Sequence, residues 1–202
     1  MKKLLTLLCI VVVSTTSALA QETHGGEPIN WKSVNLAIDA IRLPELNFAE
    51  IEAEDIENDQ YKEFGYRFGI EKTVNLSIES HGVWSVENGR NVWRLAIHAP
   101  QAKAMSLVFT EFNIPKGAEL FVYDEEQTHF IGSFNYTNKQ ANGMLATSLV
   151  YGEDVIIEFS ARESINLDDL ELTVGQVVHA YRGISSKFEE VKYGRGPFGN
   201  SG

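Results

Sequence analysis

Val92-Trp93-Arg94-Leu95-Ala96-Ile97-His98, followed by Met105-Ser106-Leu107-Val108-Phe109-Thr110, carry the clearest alternation in the sequence. In the first, Trp93, Leu95 and Ile97 project to one side and Arg94, Ala96 and His98 to the other. In the second, Met105, Leu107 and Phe109 alternate with Ser106, Val108 and Thr110. A repeat of two is the side-chain period of a β-strand, so each segment predicts a strand with one buried face. Further strands are expected at Val74–Glu79, Leu120–Asp124, His129–Phe134, Asp154–Ser160 and Leu170–Arg182. Turn signals separate them: Glu87-Asn88-Gly89, Pro115-Lys116-Gly117, Asn142-Gly143 and Tyr151-Gly152-Glu153. In the second of these, Pro115 suits the second position of a type I turn and Gly117 the fourth.

Short strands separated by turns, with no long helical pattern, predict an all-β fold. An antiparallel β-sandwich of jelly-roll or immunoglobulin-like kind is expected over about residues 70–182. The absence of an internal sequence repeat disfavours propellers and solenoids. Upstream, residues 21–43 are weakly patterned and read as a mobile lead-in. From Pro44 to Glu63 the chain is crowded with acid, from Glu45 through Asp59 to Glu63, against the single base Lys62. Leu46, Phe48, Ile51 and Ile56 are spaced irregularly, so this stretch is expected as an exposed acidic linker with one helical turn, within a lead-in and linker region of 21–69.

The first twenty residues read as a secretory signal peptide. Met1-Lys2-Lys3 form a basic start, Leu4 to Val13 an apolar run, and Ala18 and Ala20 the small residues a signal peptidase requires, which places the expected cut after Ala20. The apolar run falls short of the roughly 20 residues a membrane span needs, so no membrane association is expected after cleavage. Cys9, the one cysteine, lies inside this segment and would be discarded with it. Of the 17 Lys and Arg, two (Lys2 and Lys3) go too, leaving 15 against 28 Asp and Glu, a net charge of −13. The expected product is a secreted, strongly acidic domain held together without disulfides, and so acidic a chain is a poor nucleic-acid binder.

Motifs for catalysis are scarce. There is no phosphate-cradling G-x-x-x-x-G-K-[ST], no H-E-x-x-H and no C-x-x-C, so nucleotide hydrolysis, thiol redox chemistry and a bound cofactor are not expected. His24, His81, His98, His129 and His179 have no metal-ligand spacing, although His98 and His179 sit on predicted strands and could approach each other. Asp124-Glu125-Glu126 reads as a solvated turn, with a calcium site as the sharper alternative. Gly199-Asn200-Ser201-Gly202 lacks the rigid strand-to-helix setting of a serine nucleophile. The aromatic residues, Trp84, Trp93, Phe109, Phe112, Phe121, Tyr123, Phe134, Tyr136, Phe159 and Tyr181, read first as core; several exposed on one face would instead mean a carbohydrate-binding module. From Gly183 onward the chain turns basic and glycine-rich, with Lys187, Lys192 and Arg195, and is expected as a flexible tail.

The order of Arg67-Phe68-Gly69, His81-Gly82-Val83-Trp84, Trp93-Arg94-Leu95, Ala104-Met105-Ser106-Leu107, Pro115-Lys116-Gly117-Ala118-Glu119-Leu120-Phe121 and Asp154-Val155-Ile156-Ile157-Glu158-Phe159 resembles the N-terminal pro-region of secreted bacterial trypsin-like serine proteases of the lysyl endopeptidase type. The resemblance covers about residues 64–202. It implies that Phe198-Gly199-Asn200-Ser201-Gly202 is the junction to a catalytic domain, that residues 183–202 bridge the two, and that this chain carries no catalytic residue and does not itself hydrolyse peptides. It further implies an intramolecular chaperone and temporary inhibitor whose partner is its own C-terminal protease domain, with Lys192 and Arg195 as processing sites in the tail. A secreted module binding glycans or a cell-surface partner, and a structural domain of a larger surface protein, are the other functional classes compatible with the sandwich.

Overall fold

A computed structural model describes residues 24–32, 38–61 and 65–182. Eleven strands and one α-helix follow in the order β1 (Ile41–Arg42), α1 (Phe48–Asn58), β2 (Gly69–Ser77), β3 (Val83–Glu87), β4 (Arg90–His98), β5 (Ala104–Asn113), β6 (Ala118–Asp124), β7 (Phe130–Phe134), β8 (Leu145–Ala146), β9 (Val150–Tyr151), β10 (Asp154–Arg162) and β11 (Glu171–Ala180). They form two sheets. One runs β1-β4-β10-β6-β7, with β3 also on β4; the other runs β2-β11-β5-β8, with β9 also on β5. Every pairing is antiparallel except that of the two-residue β1 with β4. The molecule is the all-β sandwich expected from the period-two segments.

The alternation explains the core. Trp93, Leu95 and Ile97 of β4 face inward and stand opposite Phe159, Ile157 and Val155 of β10. With Leu120 and Val122 they meet Met105, Leu107, Phe109 and Val177 from the other sheet in one continuous apolar cluster. Large side chains such as Trp93, Phe109 and Phe159 are fully buried there, and each contributes roughly 2–3 kcal/mol relative to exposure. Turn chemistry closes the hairpins. Asn88 and Gly89 both have positive φ (52° and 73°), the requirement of a two-residue type I′ turn between β3 and β4. The turn at Pro115 is shifted by one residue from the expected register: Ala118 N–H donates to the Pro115 carbonyl (3.0 Å), and Gly117, at φ 90°, takes the third position, where a type II turn needs a glycine.

The acidic N-terminal extension departs from its expected form as an exposed linker with one helical turn. Phe48–Asn58 makes three turns of helix. The Asn47 side chain caps it by accepting from Glu50 N–H and donating to the Glu50 carboxylate. Phe48, Ile51 and Asp55 lie on the face turned to the second sheet, where Phe48 meets the rings of His179 and Tyr181 edge-on. The expected lead-in is likewise tied down where it is described. Trp31 packs edge-on against Tyr123 and Phe130 with ring centroids 5.4 and 5.1 Å apart. Leu43 enters the main core.

Candidate functional site

The outer face of the first sheet is where the polar partners of the core alternation end up. Arg94, expected to point away from the core, does so, yet it is only 4% exposed, because the segment at 28–32 covers it. Its guanidinium donates from Nε to Glu158 Oε2 (2.7 Å) and forks onto both oxygens of Glu87. Glu158, fully buried, also accepts from the Tyr123 hydroxyl (3.0 Å) and from Ile29 N–H (2.6 Å). Register makes this possible, since Glu158 and Arg94 are directly opposite on β10 and β4. The bond from Arg94, reinforced by Ser85 and Asn30, holds the Glu87 carboxyl down at about 2. Burial, with the neighbouring Glu158 charge, raises the Tyr123 phenol. Every member has partners, so the cluster pins the N-terminal segment onto the sheet and leaves no group free to react.

A second polar centre stands where β11 ends and α1 crosses. Asp55, 4% exposed, accepts from Arg67 Nε (2.8 Å) and the Tyr181 hydroxyl (2.6 Å), and pairs with Arg182 at 3.2 Å. Arg182 forks onto both oxygens of Asp59 (2.8 and 3.1 Å), donates to the Arg67 carbonyl (2.6 Å), and lies over the Tyr66 ring at 4.3 Å. The hydrogen bonds from Arg182 lower the Asp59 carboxyl, and those that Asp59 and Glu54 accept raise Arg182 and Arg67 respectively. Beside this clamp a groove of about 340 Å³ runs between Phe48, Ile51 and Ile56 of α1 and Tyr181. Ile56, Tyr61, Tyr66 and Phe68 are 62%, 54%, 59% and 42% exposed, an unusual set of large, mainly apolar side chains at the surface. Arg182 is the last described residue, so this apolar and ion-paired surface surrounds the place from which residues 183–202 continue.

His98 pairs through Nδ1 with Asp154 (2.7 Å), whereas His179, in the opposite sheet, is buried beneath Phe48; burial, with the Lys72 charge, lowers its ring. Asp124 spends both carboxylate oxygens on Thr128 N–H, the Thr128 hydroxyl and His129 N–H, which makes it the organiser of its own turn. Among the described residues no group of three or more His, Cys, Asp or Glu is placed to hold a metal ion. Trp93, Phe109, Phe112, Phe121, Tyr123, Phe134 and Phe159 are core, while Trp84 and Tyr136, 48% and 45% exposed, stand on separate elements. Ala20, Lys192 and Arg195 lie outside the described residues. The exit clamp has no counterpart in the sequence reading; Asn47 followed by Glu50, an N-cap with its third residue, is the signal that marks its helix. No protein-family model matches the chain, and no solved structure matches it.

Proposed function

We propose that this chain is the pro-region of a secreted trypsin-like serine protease of the lysyl endopeptidase type, assisting the folding of a catalytic domain attached after Gly202 and holding it inactive until the tail is cut. The observation that carries the reading, beside the resemblance of residues 64–202, is the exit clamp. Arg182 fixes the start of the tail against α1, next to exposed Ile56, Tyr61, Tyr66 and Phe68. A domain tethered through the next 20 residues stays within roughly 25 Å of that surface, at an effective concentration of order millimolar. Modest complementarity is then enough for a stable enzyme–inhibitor contact, and cutting the tether dilutes it away. Lys192 and Arg195 are the processing residues in this reading, because a protease with an acidic specificity pocket accepts a basic side chain. Secretion rests on the first twenty residues, with release after Ala20.

The test begins by extending the reading frame past Gly202. The expected result is a cysteine-led trypsin-like domain whose Lys- or Arg-directed activity appears as residues 21 to about 195 are lost. Lys192→Ala with Arg195→Ala should leave the precursor uncut; unchanged activation would remove both residues from the assignment. A stop directly after Gly202 with no associated protease would overturn the pro-region and favour the second reading, a secreted module for glycans or a cell-surface partner, to which half-exposed Trp84 lends its only specific support.

A further inference from the structure

One edge of the first sheet is unfinished, independently of any attached domain. Among the described residues, strand β3 is hydrogen-bonded to β4 alone, in the register Val83 to Arg94, Ser85 to Val92 and Glu87 to Arg90. In a two-residue hairpin the residues flanking the turn form a hydrogen-bonded pair, and such pairs recur at every second position. Val83, Ser85 and Glu87 therefore direct their backbone groups at β4, while Trp84 and Val86 direct theirs outward, two N–H and two C=O in all. The side chains are apolar and wet: Val83, Trp84 and Val86 are 52%, 48% and 62% exposed. Edge strands are normally guarded by charge, proline or a bulge. The edge of the second sheet, β2, carries Glu71 and Lys72; Val83-Trp84-Ser85-Val86 carries no such guard, and Glu87 beside it is already committed to Arg94.

The geometry points to a second copy of this chain as the occupant, paired β3 to β3 across a two-fold axis at Ser85. The segment is complementary to itself in that register. Trp84 opposes Val86 of the other copy and Val86 opposes its Trp84, so each pair exchanges an N–H and a C=O in both directions and all four outward groups of both chains are satisfied. The same pairing sets an aromatic ring beside a β-branched side chain twice on the core-side face, a favourable cross-strand combination. On the other face Ser85 meets Ser85, and Val83 meets Glu87, so no like charges are opposed. Two first sheets thus become one continuous sheet. The contact is small compared with the roughly 1,200 Å² or more of a stable interface, so the dimer is weak and concentration-dependent. With a formal charge of −11 on each chain it tightens as salt rises.

Sedimentation equilibrium of the full chain, from about 10 μM to about 1 mM and at low and high salt, tests this. The expected result is a rise from monomer toward dimer mass, steeper at high salt. Val86→Pro deletes only an outward N–H, two per dimer, and should weaken association by about tenfold or more. Val86→Glu places a carboxylate beside the other copy's Trp84, adds to the repulsion between two acidic chains, and should do the same without a backbone constraint. Circular dichroism and protected β4 amides report whether each variant is folded, and Val86→Glu decides the matter if Val86→Pro is not. Monomer mass at every concentration, or a dimer that survives both substitutions in folded protein, would overturn the proposal. Neither outcome bears on the tail-processing test of the pro-region reading.

Discussion

Arg94 illustrates how far single residues could be read. Its neighbours Trp93 and Leu95 fix it on the outer side of β4, which the alternation in the sequence states correctly. What alternation cannot state is that the outer side is dry, because that depends on Ile29 and Trp31 lying over it from more than sixty residues away in sequence. A buried guanidinium then needs both Glu87 and Glu158. Replacing Arg94 by Met leaves Glu158 buried without its charge partner and is expected to cost about 3–5 kcal/mol in urea unfolding, whereas Arg94→Met with Glu158→Leu should cost less than the two single changes added. Glu87 supplies a pH signature. Its folded pKa, about 2, lies below the usual 4.5, so its contribution is fully present above about pH 4.5 and is lost as pH falls from there toward 2. Glu87→Gln should flatten the stability–pH curve in that window by up to one proton, about 1.4 kcal/mol per pH unit. An unchanged slope would mean that Arg94 holds Glu87 no more tightly in the fold than water does.

Among the elements, strands were legible and the helix was not, for a physical reason. A strand with one buried face declares itself by alternation over four residues. Phe48–Asn58 touches the sheet along only one narrow stripe, and a position on that stripe is filled by Asp55, an acid that reads as solvated. Asp55 is buried because Arg67, Tyr181 and Arg182 converge on it. The helix is therefore held by a charge network as much as by Phe48 and Ile51, and that network is assembled from residues 12 to 127 positions away. Asp55→Ala is expected to destabilise the docking of α1 by about 2–3 kcal/mol, the worth of hydrogen bonds to a charged group. It should show as faster hydrogen exchange in Ile51–Asn58 with little change in β10 or β5 amides. Asn47→Ala removes the cap and should cost the helix about 1 kcal/mol. Equal acceleration across helix and core would instead mean that α1 opens only when the whole sandwich does.

For the whole molecule, the class of fold follows from period two and the turn signals, but the reach of the body does not. The strands expected over 70–182 form the sandwich, and the observed ones run from Gly69 to Ala180. Yet the finished molecule also uses Pro28 to Trp31, β1 and Leu43, because a six-stranded sheet with Phe121, Tyr123, Ile156 and Ala96 on its outer face is too apolar to leave in water. The N-terminal segment thus plays for the first sheet the part that α1 plays for the second. That role predicts a particular failure. Removing residues 21–32 would uncover Tyr123 and Phe130 and strip Glu158 of the Ile29 N–H, at an expected cost of about 2–4 kcal/mol. The inner core, which this segment does not touch, should keep its far-ultraviolet spectrum, while the uncovered face should bind a hydrophobic dye and aggregate at concentrations where the intact chain remains soluble. Restoring the segment as a separate peptide should quench the dye, and Trp31→Ala in that peptide should abolish the quenching. A truncated protein with unchanged stability and no dye binding would show that the outer face needs no cover, and that the burial of Arg94 and Glu158 is a consequence of the segment's docking and not its cause.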